Sequence, residues 1–248
     1  MTKGKLILCA TPIGNLEDIT LRVLNALEAV DYIAAEDTRH TIKLLNHYGI
    51  KKPLISYHEH NKHRAGEKIL DLVMEGKSVA LVSDAGMPGI SDPGADIVKQ
   101  AWDMDITPTV LPGATAFVVA LVMSGLCTDR FVFEGFLPKK NKDRAERLQK
   151  LEREERTIIF YETPHRILNT LEELSHVFGK KRKAAVLREL TKIHEEAVRG
   201  TLEEIYQTFD KREIKGEMVI VVEGASSADT ISAFDNISIE EHIAKYME

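Results

Sequence analysis

Acidic and imidazole side chains follow three apolar runs of this sequence, in positions where they could move a proton. Glu36 follows one such run, His58 follows the next, and Asp84 follows a third. A carboxylate or imidazole held in place can act as a general base that takes the proton of a hydroxyl nucleophile while the new bond forms. These three residues are therefore candidate catalytic bases. Asp37 fits the same role or, equally, that of a helix cap, with Arg39 paired to a neighbouring acid.

Three loops rich in glycine or proline also follow apolar runs, at residues 10–15, 83–94 and 111–116. In open α/β sheets, ligands bind outside the carboxyl ends of the strands. Gly86 and Gly89 of the second loop would let main-chain atoms approach a ligand closely. Any one loop could be an ordinary turn, but three at one sheet edge favour a binding site. The first loop is neither a Gly-x-Gly-x-x-Gly nor a Walker loop, which disfavours nicotinamide cofactors and nucleoside triphosphates.

One segment combines aromatic rings with positive charge. Phe133 and Phe136 precede Lys139 and Lys140, and basic residues continue as far as Lys150. Unpaired RNA bases stack on aromatic rings, and lysines hold phosphates. Because the net charge is −6, a global positive field is excluded and any nucleic-acid contact must use a local patch of this kind. The alternatives are a solvated helix face for the cations and a strand core for Phe133.

The cysteines and histidines do not predict a metal site. Cys9 and Cys127 lack metal-ligand spacing, so we expect buried thiols in a reducing compartment. His58 and His60 lie two residues apart without a third ligand, which favours RNA contact or proton handling over metal binding, with exposed loop histidines as the alternative. No apolar run has the length of a membrane span, and Leu6–Ala10 is too short for a signal peptide, so a cytoplasmic protein is expected.

The pattern of elements indicates how these residues could meet. In the first half, short β-branched runs alternate with amphipathic helical patterns, which is typical of a parallel sheet with crossover helices. The predicted strands are Leu6–Ala10, Tyr32–Ala35, Leu54–Tyr57, Val79–Ser83 and Thr109–Leu111. Helices are predicted after Thr20, from Ile42 to Tyr48, after Asn61 and after Asp92.

The pattern changes after the apolar stretch Ala114–Met123. Further strands are predicted at Phe131–Phe136, Thr157–Tyr161, Ala184–Leu187 and Met218–Val222, with helices at Lys142–Glu155 and Pro164–Phe178. We therefore predict an N-terminal α/β domain at residues 1–112, a C-terminal α/β domain at 113–225 and a short tail at 226–248. The first sheet is expected to be mostly parallel and the second mixed.

Six segments resemble the motif series of a known enzyme family. They are Thr11–Thr20, Glu36–Arg39, Ser83–Gly94, Pro112–Ala116, Phe133–Pro138 and Tyr161–Arg166. On these motifs, residues 5–225 resemble the 16S rRNA cytidine-2′-O-methyltransferase family of the tetrapyrrole methylase superfamily. The resemblance implies the two-domain tetrapyrrole methylase fold, an S-adenosylmethionine site in the cleft between the domains, and a homodimer. It also implies methylation of a cytidine ribose at the decoding centre of the small ribosomal subunit.

The resemblance assigns the methyl-donor contacts residue by residue. They are Pro12, Ala85, Gly86, Met87, Ile90, Thr115 and Ala116 in the three loops, and Tyr161, Glu162, Glu189 and Leu190 in the second domain. Met87 and Ile90 could instead be loop anchors. The predicted RNA contacts are Arg39, Asn61, Phe136, Lys139, Lys140 and Arg144. Glu36, His58 and Asp84 are the candidates for taking the proton of the ribose hydroxyl, and methyl transfer needs no metal.

Two other functions fit parts of this sequence. A methyltransferase of the same fold could act on a tetrapyrrole or another small substrate, but such enzymes are expected to have a glycine-rich acidic first loop, from which Thr11–Asn15 departs. A non-catalytic RNA-binding module or assembly factor would not bind the methyl donor. The acidic net charge counts against that second alternative.

Overall fold

The computed structural model describes residues 3–226, and these divide into two compact units. The first unit runs to Ala116 and also includes Thr191–Ile193, whereas the second begins at Phe117. The predicted tail at 226–248 lies outside the described residues except for Ser226. None of the helices within residues 3–226 combines the length and apolar composition that a membrane span requires.

The first unit is built on a parallel sheet. Its strands are β1 (Leu6–Cys9), β2 (Tyr32–Ala35), β3 (Leu54–Ser56), β4 (Val79–Val82) and β5 (Thr109–Leu111). They lie in the order β3-β2-β4-β1-β5, and every neighbouring pair is parallel. Continuous apolar runs form such strands because crossover helices cover both faces of the sheet. All four residues of β4 are buried, as this arrangement requires.

Helices connect these strands, and the loop after each strand ends where the next helix begins. They are α1 (Leu21–Ala29), α2 (Thr38–His47), α3 (Lys62–Met74) and α4 (Gly94–Asp103). Thr20 Oγ1 begins α1 by accepting a hydrogen bond from Val23 N, and Asp37 Oδ1 begins α2 by accepting one from Arg39 N. One apolar cluster packs α3 and α4 on one face of the sheet, and a second packs α1 and α2 on the other. The carboxyl ends of the parallel strands therefore share one edge.

The second unit is built on a mixed sheet, and the predicted fold class is confirmed. Its strands are β6 (Phe131–Phe136), β7 (Thr157–Glu162), β8 (Lys183–Arg188), β9 (Glu196–Thr201) and β10 (Met218–Val222), in the order β6-β7-β10-β8-β9. β6 and β7 are parallel, and the other neighbours are antiparallel. The helices are α5 (Ala116–Ser124), α6 (Asn141–Leu151), α7 (Ile167–Phe178) and α8 (Leu202–Asp210). One apolar cluster holds α6, α7 and α8 on this sheet.

The sequence predictions omit β9 and α8. β9 is an edge strand in which no residue is fully buried, and its polar residues hide the strand pattern. α8 carries a signal that could have been found: Thr201 and Glu204 form a capping box, and Leu202, Ile205 and Phe209 recur at helical spacing and are buried. Other predicted helix ends shift: α2 already begins at Thr38, α6 stops at Leu151 and α7 starts only at Ile167.

Candidate active site at the carboxyl ends of the parallel strands

The loops that follow β1 and β4 are joined by backbone hydrogen bonds. Thr11 N donates to Gly86 O at 2.9 Å, and Gly86 N donates to Thr11 O at 3.0 Å, so the two residues form an isolated antiparallel bridge. Thr11 Oγ1 also donates to Ser83 O at 3.2 Å. The sheet order makes this possible, because β1 and β4 are direct neighbours. Two of the three predicted loops therefore form one connected structure.

Glycines bring the third loop, which follows β5, against the other two. A Cβ atom on Gly113 would lie 2.7 Å from Ala10 Cβ, so only glycine allows this contact. A Cβ atom on Gly86 would lie 3.4 Å from Ile13 Cγ2 and 3.6 Å from Ala114 O, which belong to the other two loops. Gly86 also has a φ of 82°, a conformation that favours glycine. The three loops thus converge around Gly86.

The outer part of the loop after β4 is closed by an aspartate. Asp92 Oδ1 accepts hydrogen bonds from Gly89 N at 2.6 Å and from Gly94 N at 2.8 Å. Tyr57 OH donates to Pro93 O at 2.9 Å and ties this turn to the segment after β3. Burial raises the pKa of Asp92, although both backbone donors oppose that shift. Asp92 therefore shapes the loop.

The predicted donor residues of the first unit surround this convergence point. Pro12 and Gly86 are buried, Met87, Thr115 and Ala116 are half-buried, and Ala85 and Ile90 are exposed. None of the three loop segments contains lysine or arginine. A ligand here would meet apolar side chains, accessible backbone groups and no cationic side chain from these loops. Such an environment fits a nucleoside that carries a positively charged sulfonium.

Glu36 lies next to two other carboxylates at the same sheet edge. Burial raises the pKa of Glu36, and the charges of Asp84 and Asp92 raise it further, whereas a hydrogen bond with the Asp84 backbone and the charge of His58 oppose the shift. A cavity of about 10 Å³, enough for one water molecule, is lined by Glu36, Tyr57 and Asp92 among others. A carboxyl whose pKa is raised and which lines a small cavity is a candidate for proton exchange.

The other candidate bases have different surroundings. Asp84 Oδ1 accepts a hydrogen bond from Asp37 N at 2.9 Å, and Asp84 Oδ2 lies 3.5 Å from His40 Nδ1. His58 Nδ1 is buried and finds no hydrogen-bond partner among the described residues. Asp84 is thus held in place by the start of α2, whereas the imidazole of His58 retains a nitrogen that could take part in proton transfer.

Asp37 is the N-terminal cap of α2, which was the alternative to its role as a base. Its carboxylate caps α2 and forms paired hydrogen bonds with the Arg39 guanidinium, including one of 2.6 Å to Nη2. These bonds hold the pKa of Asp37 well below its usual range. A carboxylate that binds a proton so weakly is a poor base. The Arg39 side chain is 86% exposed and remains accessible to a phosphate.

The predicted RNA contacts lie in different environments. Phe136 is 52% exposed, and Lys139 and Lys140 are exposed beside it. Asn61 instead closes the turn after β3: its Oδ1 accepts from His58 N at 2.8 Å and its Nδ2 donates to Ser56 O at 3.0 Å. Its predicted RNA contact would have to compete with these bonds.

The structure corrects the predicted RNA contact of Arg144. Only 5% of this residue is exposed, and its guanidinium contacts Glu173 and Thr170 inside the second unit. The predicted contact between Arg144 and an RNA phosphate is wrong, because the side chain faces the protein interior. A signal for this was present in the sequence: Arg144 lies four residues before Leu148 and seven before Leu151, so it shares the buried face of α6 with these leucines.

Comparison with known proteins identifies the family. The family model of the tetrapyrrole (corrin/porphyrin) methylases matches residues 5–206 of this chain. Ribosomal RNA small subunit methyltransferase I of Synechocystis sp. is 50% identical over 244 residues, covering 98% of this chain and 87% of that protein. The chain belongs to the ribosomal RNA small subunit methyltransferase I family. The Bacillus subtilis member is 46% identical over 247 residues, covering 98% of this chain and 84% of that protein.

A solved structure supports the fold. Uroporphyrin-III C-methyltransferase from Thermus thermophilus, in complex with S-adenosylhomocysteine, aligns with a TM-score of 0.64 at 16% identity, covering 89% of this chain and 97% of that one. At this identity the likeness concerns the fold alone. The family model and the relatives confirm the predicted superfamily and the predicted class, a methyltransferase.

The predicted donor residues of the second unit lie at the ends of β7 and β8. Tyr161 contacts Phe133 and Phe136, with ring centroids 4.9 Å and 5.6 Å away. Glu189 has a φ of 52°, and its carboxylate accepts a hydrogen bond from Glu217 N at 2.9 Å. Leu190 is buried. Glu162 is also buried, and its carboxylate oxygens accept hydrogen bonds from Thr163 N and Thr170 Oγ1, so the structure does not support the predicted donor contact of this side chain.

A glycine comparison tests whether the three loops bind the donor. We expect Gly86→Val to abolish S-adenosylmethionine binding in calorimetry, because the side chain would project between Ile13 and Ala114. Gly49→Val is the matched control: its φ is 70°, but a Cβ there meets nothing within 4 Å. Both variants should lose a similar stability, about 1–2 kcal/mol, and only Gly86→Val should lose the donor. Wild-type donor affinity in folded Gly86→Val would contradict the assignment.

Proposed function

We propose that this chain transfers the methyl group of S-adenosylmethionine to the ribose 2′-hydroxyl of a cytidine in the decoding centre of 16S rRNA. The observation that carries the proposal is the identity of 46–50% to proteins named ribosomal RNA small subunit methyltransferase I. The convergence of three strand-end loops around Gly86 supports it, because it provides a place for the donor. Such an enzyme would work in the cytoplasm, where small subunits are assembled, and its homodimeric state stays a prediction.

S-adenosylmethionine supplies an electrophilic methyl group on a sulfonium. Residues around the Thr11–Gly86 bridge hold the nucleoside by backbone contacts, and Met87, Thr115 and Ala116 line its surface. The absence of lysine and arginine from these loop segments keeps repulsive cations away from the sulfonium. Methyl transfer is an in-line displacement, so much of its acceleration can come from holding the hydroxyl oxygen close to the methyl carbon.

A ribose hydroxyl is a weak nucleophile, and Glu36 is the residue best placed to take its proton. The Glu36 carboxylate lies at the same sheet edge as the donor loops, and its pKa is raised by burial and by Asp84 and Asp92. A raised pKa makes the carboxylate a stronger base. Asp84 acts here by raising this pKa, and His58 is the alternative base.

Glu36→Gln tests this role through rate and stability together. The pKa of Glu36 is raised in the folded chain, so protein stability falls as pH rises from the ordinary carboxyl pKa through the raised one. Removing the carboxylate should therefore raise the melting temperature at pH values above the raised pKa and leave it unchanged below the ordinary carboxyl pKa. Single-turnover methylation should fall by roughly 10²–10⁴-fold.

Glu28→Gln, on the exposed face of α1, is the control and should change neither quantity. In the wild type, the rate should rise with pH through the raised pKa of Glu36. A wild-type rate in Glu36→Gln would exclude it as the base, and loss of activity in His58→Ala would then transfer the role to the imidazole.

RNA binding is assigned to the exposed segment Phe136–Lys140 and to Arg39. We expect Lys139→Ala/Lys140→Ala to weaken binding to small ribosomal subunits. The slope of log K against log salt should fall by about two, since each lost phosphate contact removes about one. Lys180→Ala/Lys181→Ala changes the net charge equally and is the control. A loss of slope in the control alone would move the RNA surface to residues 180–183.

The acceptor is tested by competition between substrate classes. Labelled S-adenosylmethionine should transfer its methyl group to small ribosomal subunits and not to uroporphyrinogen. After digestion to nucleosides, the label should elute as 2′-O-methylcytidine. Label in a methylated base would contradict the ribose assignment, and label in the tetrapyrrole would contradict the proposed substrate class.

A further inference from the structure

The second unit contains a buried carboxylate that has no place in the chemistry described above. Glu162 is the last residue of β7, and it is only 3% exposed. Burying an ionised carboxylate is costly unless hydrogen bonds and opposite charges surround it. Its partners therefore indicate what it does.

Two hydrogen bonds and two arginines surround this carboxylate. Glu162 Oε1 accepts from Thr163 N at 2.8 Å, and Glu162 Oε2 accepts from Thr170 Oγ1 at 2.6 Å. Arg166 Nε lies 3.6 Å from Oε1, and Arg144 Nη2 lies 3.8 Å from Oε2. One carboxylate thus neutralises cations from the loop after β7 and from α6.

Arg166 links this carboxylate to the segment after β6. Its Nη2 donates to Leu137 O at 3.2 Å. Leu137 directly follows the exposed Phe136, and its own side chain is buried. Arg166 therefore holds the backbone near the start of the segment Phe136–Lys140.

Arg144 anchors the other end of the same segment. Its backbone N donates to Lys140 O at 3.0 Å, which makes it part of the first turn of α6. Its guanidinium donates to Thr170 Oγ1 at 2.6 Å and pairs with Glu173, which fixes this turn against α7. Its buried Nη1 has no hydrogen-bond partner among the described residues, so this ion cluster is not fully satisfied.

We propose that Glu162 is a positioning residue for RNA recognition, which holds Arg166 and Arg144 and through them fixes the segment Phe136–Lys140. The inference rests on the proposed function, in which this segment binds RNA. Lys139 and Lys140 then meet the RNA phosphates from a pre-ordered backbone, and less ordering is required on binding. A buried ion cluster is weak evidence for a role in stability alone, because apolar residues can often replace one without loss. Glu162 contacts neither donor nor RNA in this account.

Glu162→Gln keeps the shape of the side chain and removes its charge. We expect the Kd for small ribosomal subunits to rise roughly tenfold, with the KM for the same substrate rising in parallel. The single-turnover rate at saturating RNA and the Kd for S-adenosylmethionine should stay at their wild-type values. In the Lys139→Ala/Lys140→Ala background, Glu162→Gln should add little, because its effect acts through those lysines.

Glu154→Gln is the matched control. Glu154 also pairs with an arginine, Arg156 at 2.8 Å, but it lies before β7, whereas Glu162 is the last residue of that strand. Its loss should leave the RNA Kd unchanged. If Glu162→Gln does not fold, Arg166→Gln replaces it, since Arg166 is 29% exposed and its loss removes the contact with Leu137 directly. Glu162→Asp, which keeps the charge, should recover part of the RNA affinity.

An unchanged RNA Kd, or a full effect in the background without the two lysines, would overturn the inference. A weaker Kd for S-adenosylmethionine would also overturn it, because Glu162 would then serve the donor. Since RNA binding is measured directly, a wild-type protein that binds small subunits without methylating them would count against the proposed function and not against this role of Glu162.

Discussion

The reciprocal hydrogen bonds between Thr11 and Gly86 are the constraint on which the candidate donor site depends. They connect the loops after β1 and β4 at the point where a parallel sheet leaves its strand-end backbone groups without partners. Each such bond has a net value of about 0.5–1.5 kcal/mol, which is modest, but the pair also fixes the direction of both loops. Gly86 is required because its positive φ turns the chain back toward Thr11 and because the loop after β5 packs nearby.

Both units place charged groups where they reduce stability. Glu36 lies among carboxylates that raise its pKa, and in the second unit Arg144 is buried with one nitrogen unpaired. Natural proteins retain such arrangements where function needs them. In the proposed function, the crowded carboxylates of the first unit make Glu36 a stronger base. In the second, Glu162 and its arginines order a surface segment that carries exposed lysines and an exposed phenylalanine.

The parallel sheet could be predicted from sequence because its strands are short apolar runs buried on both faces. The meeting of the loops after β1, β4 and β5 followed from the rule that ligands bind at the carboxyl ends of such strands. The positions and roles of individual side chains were harder to predict. Arg144 belongs to a highly charged helix, and only its spacing from Leu148 and Leu151 places it on the buried face. Arg147 is half exposed and pairs with Glu134. Asn61 follows a polar histidine cluster, and only the structure shows its amide closing that turn. β9 was missed because an edge strand is half exposed and has no apolar run.

Hydrogen exchange with saturating S-adenosylhomocysteine tests the central claim, that the loops around the Thr11–Gly86 bridge hold the methyl donor. Amides in residues 10–15, 83–94 and 112–116 should exchange more slowly in the presence of the ligand, because backbone contacts and lost solvent access both slow opening. Amides in residues 179–183, which join α7 to β8, should exchange at an unchanged rate. Binding demonstrated by calorimetry without protection in any of the three loops would contradict the account.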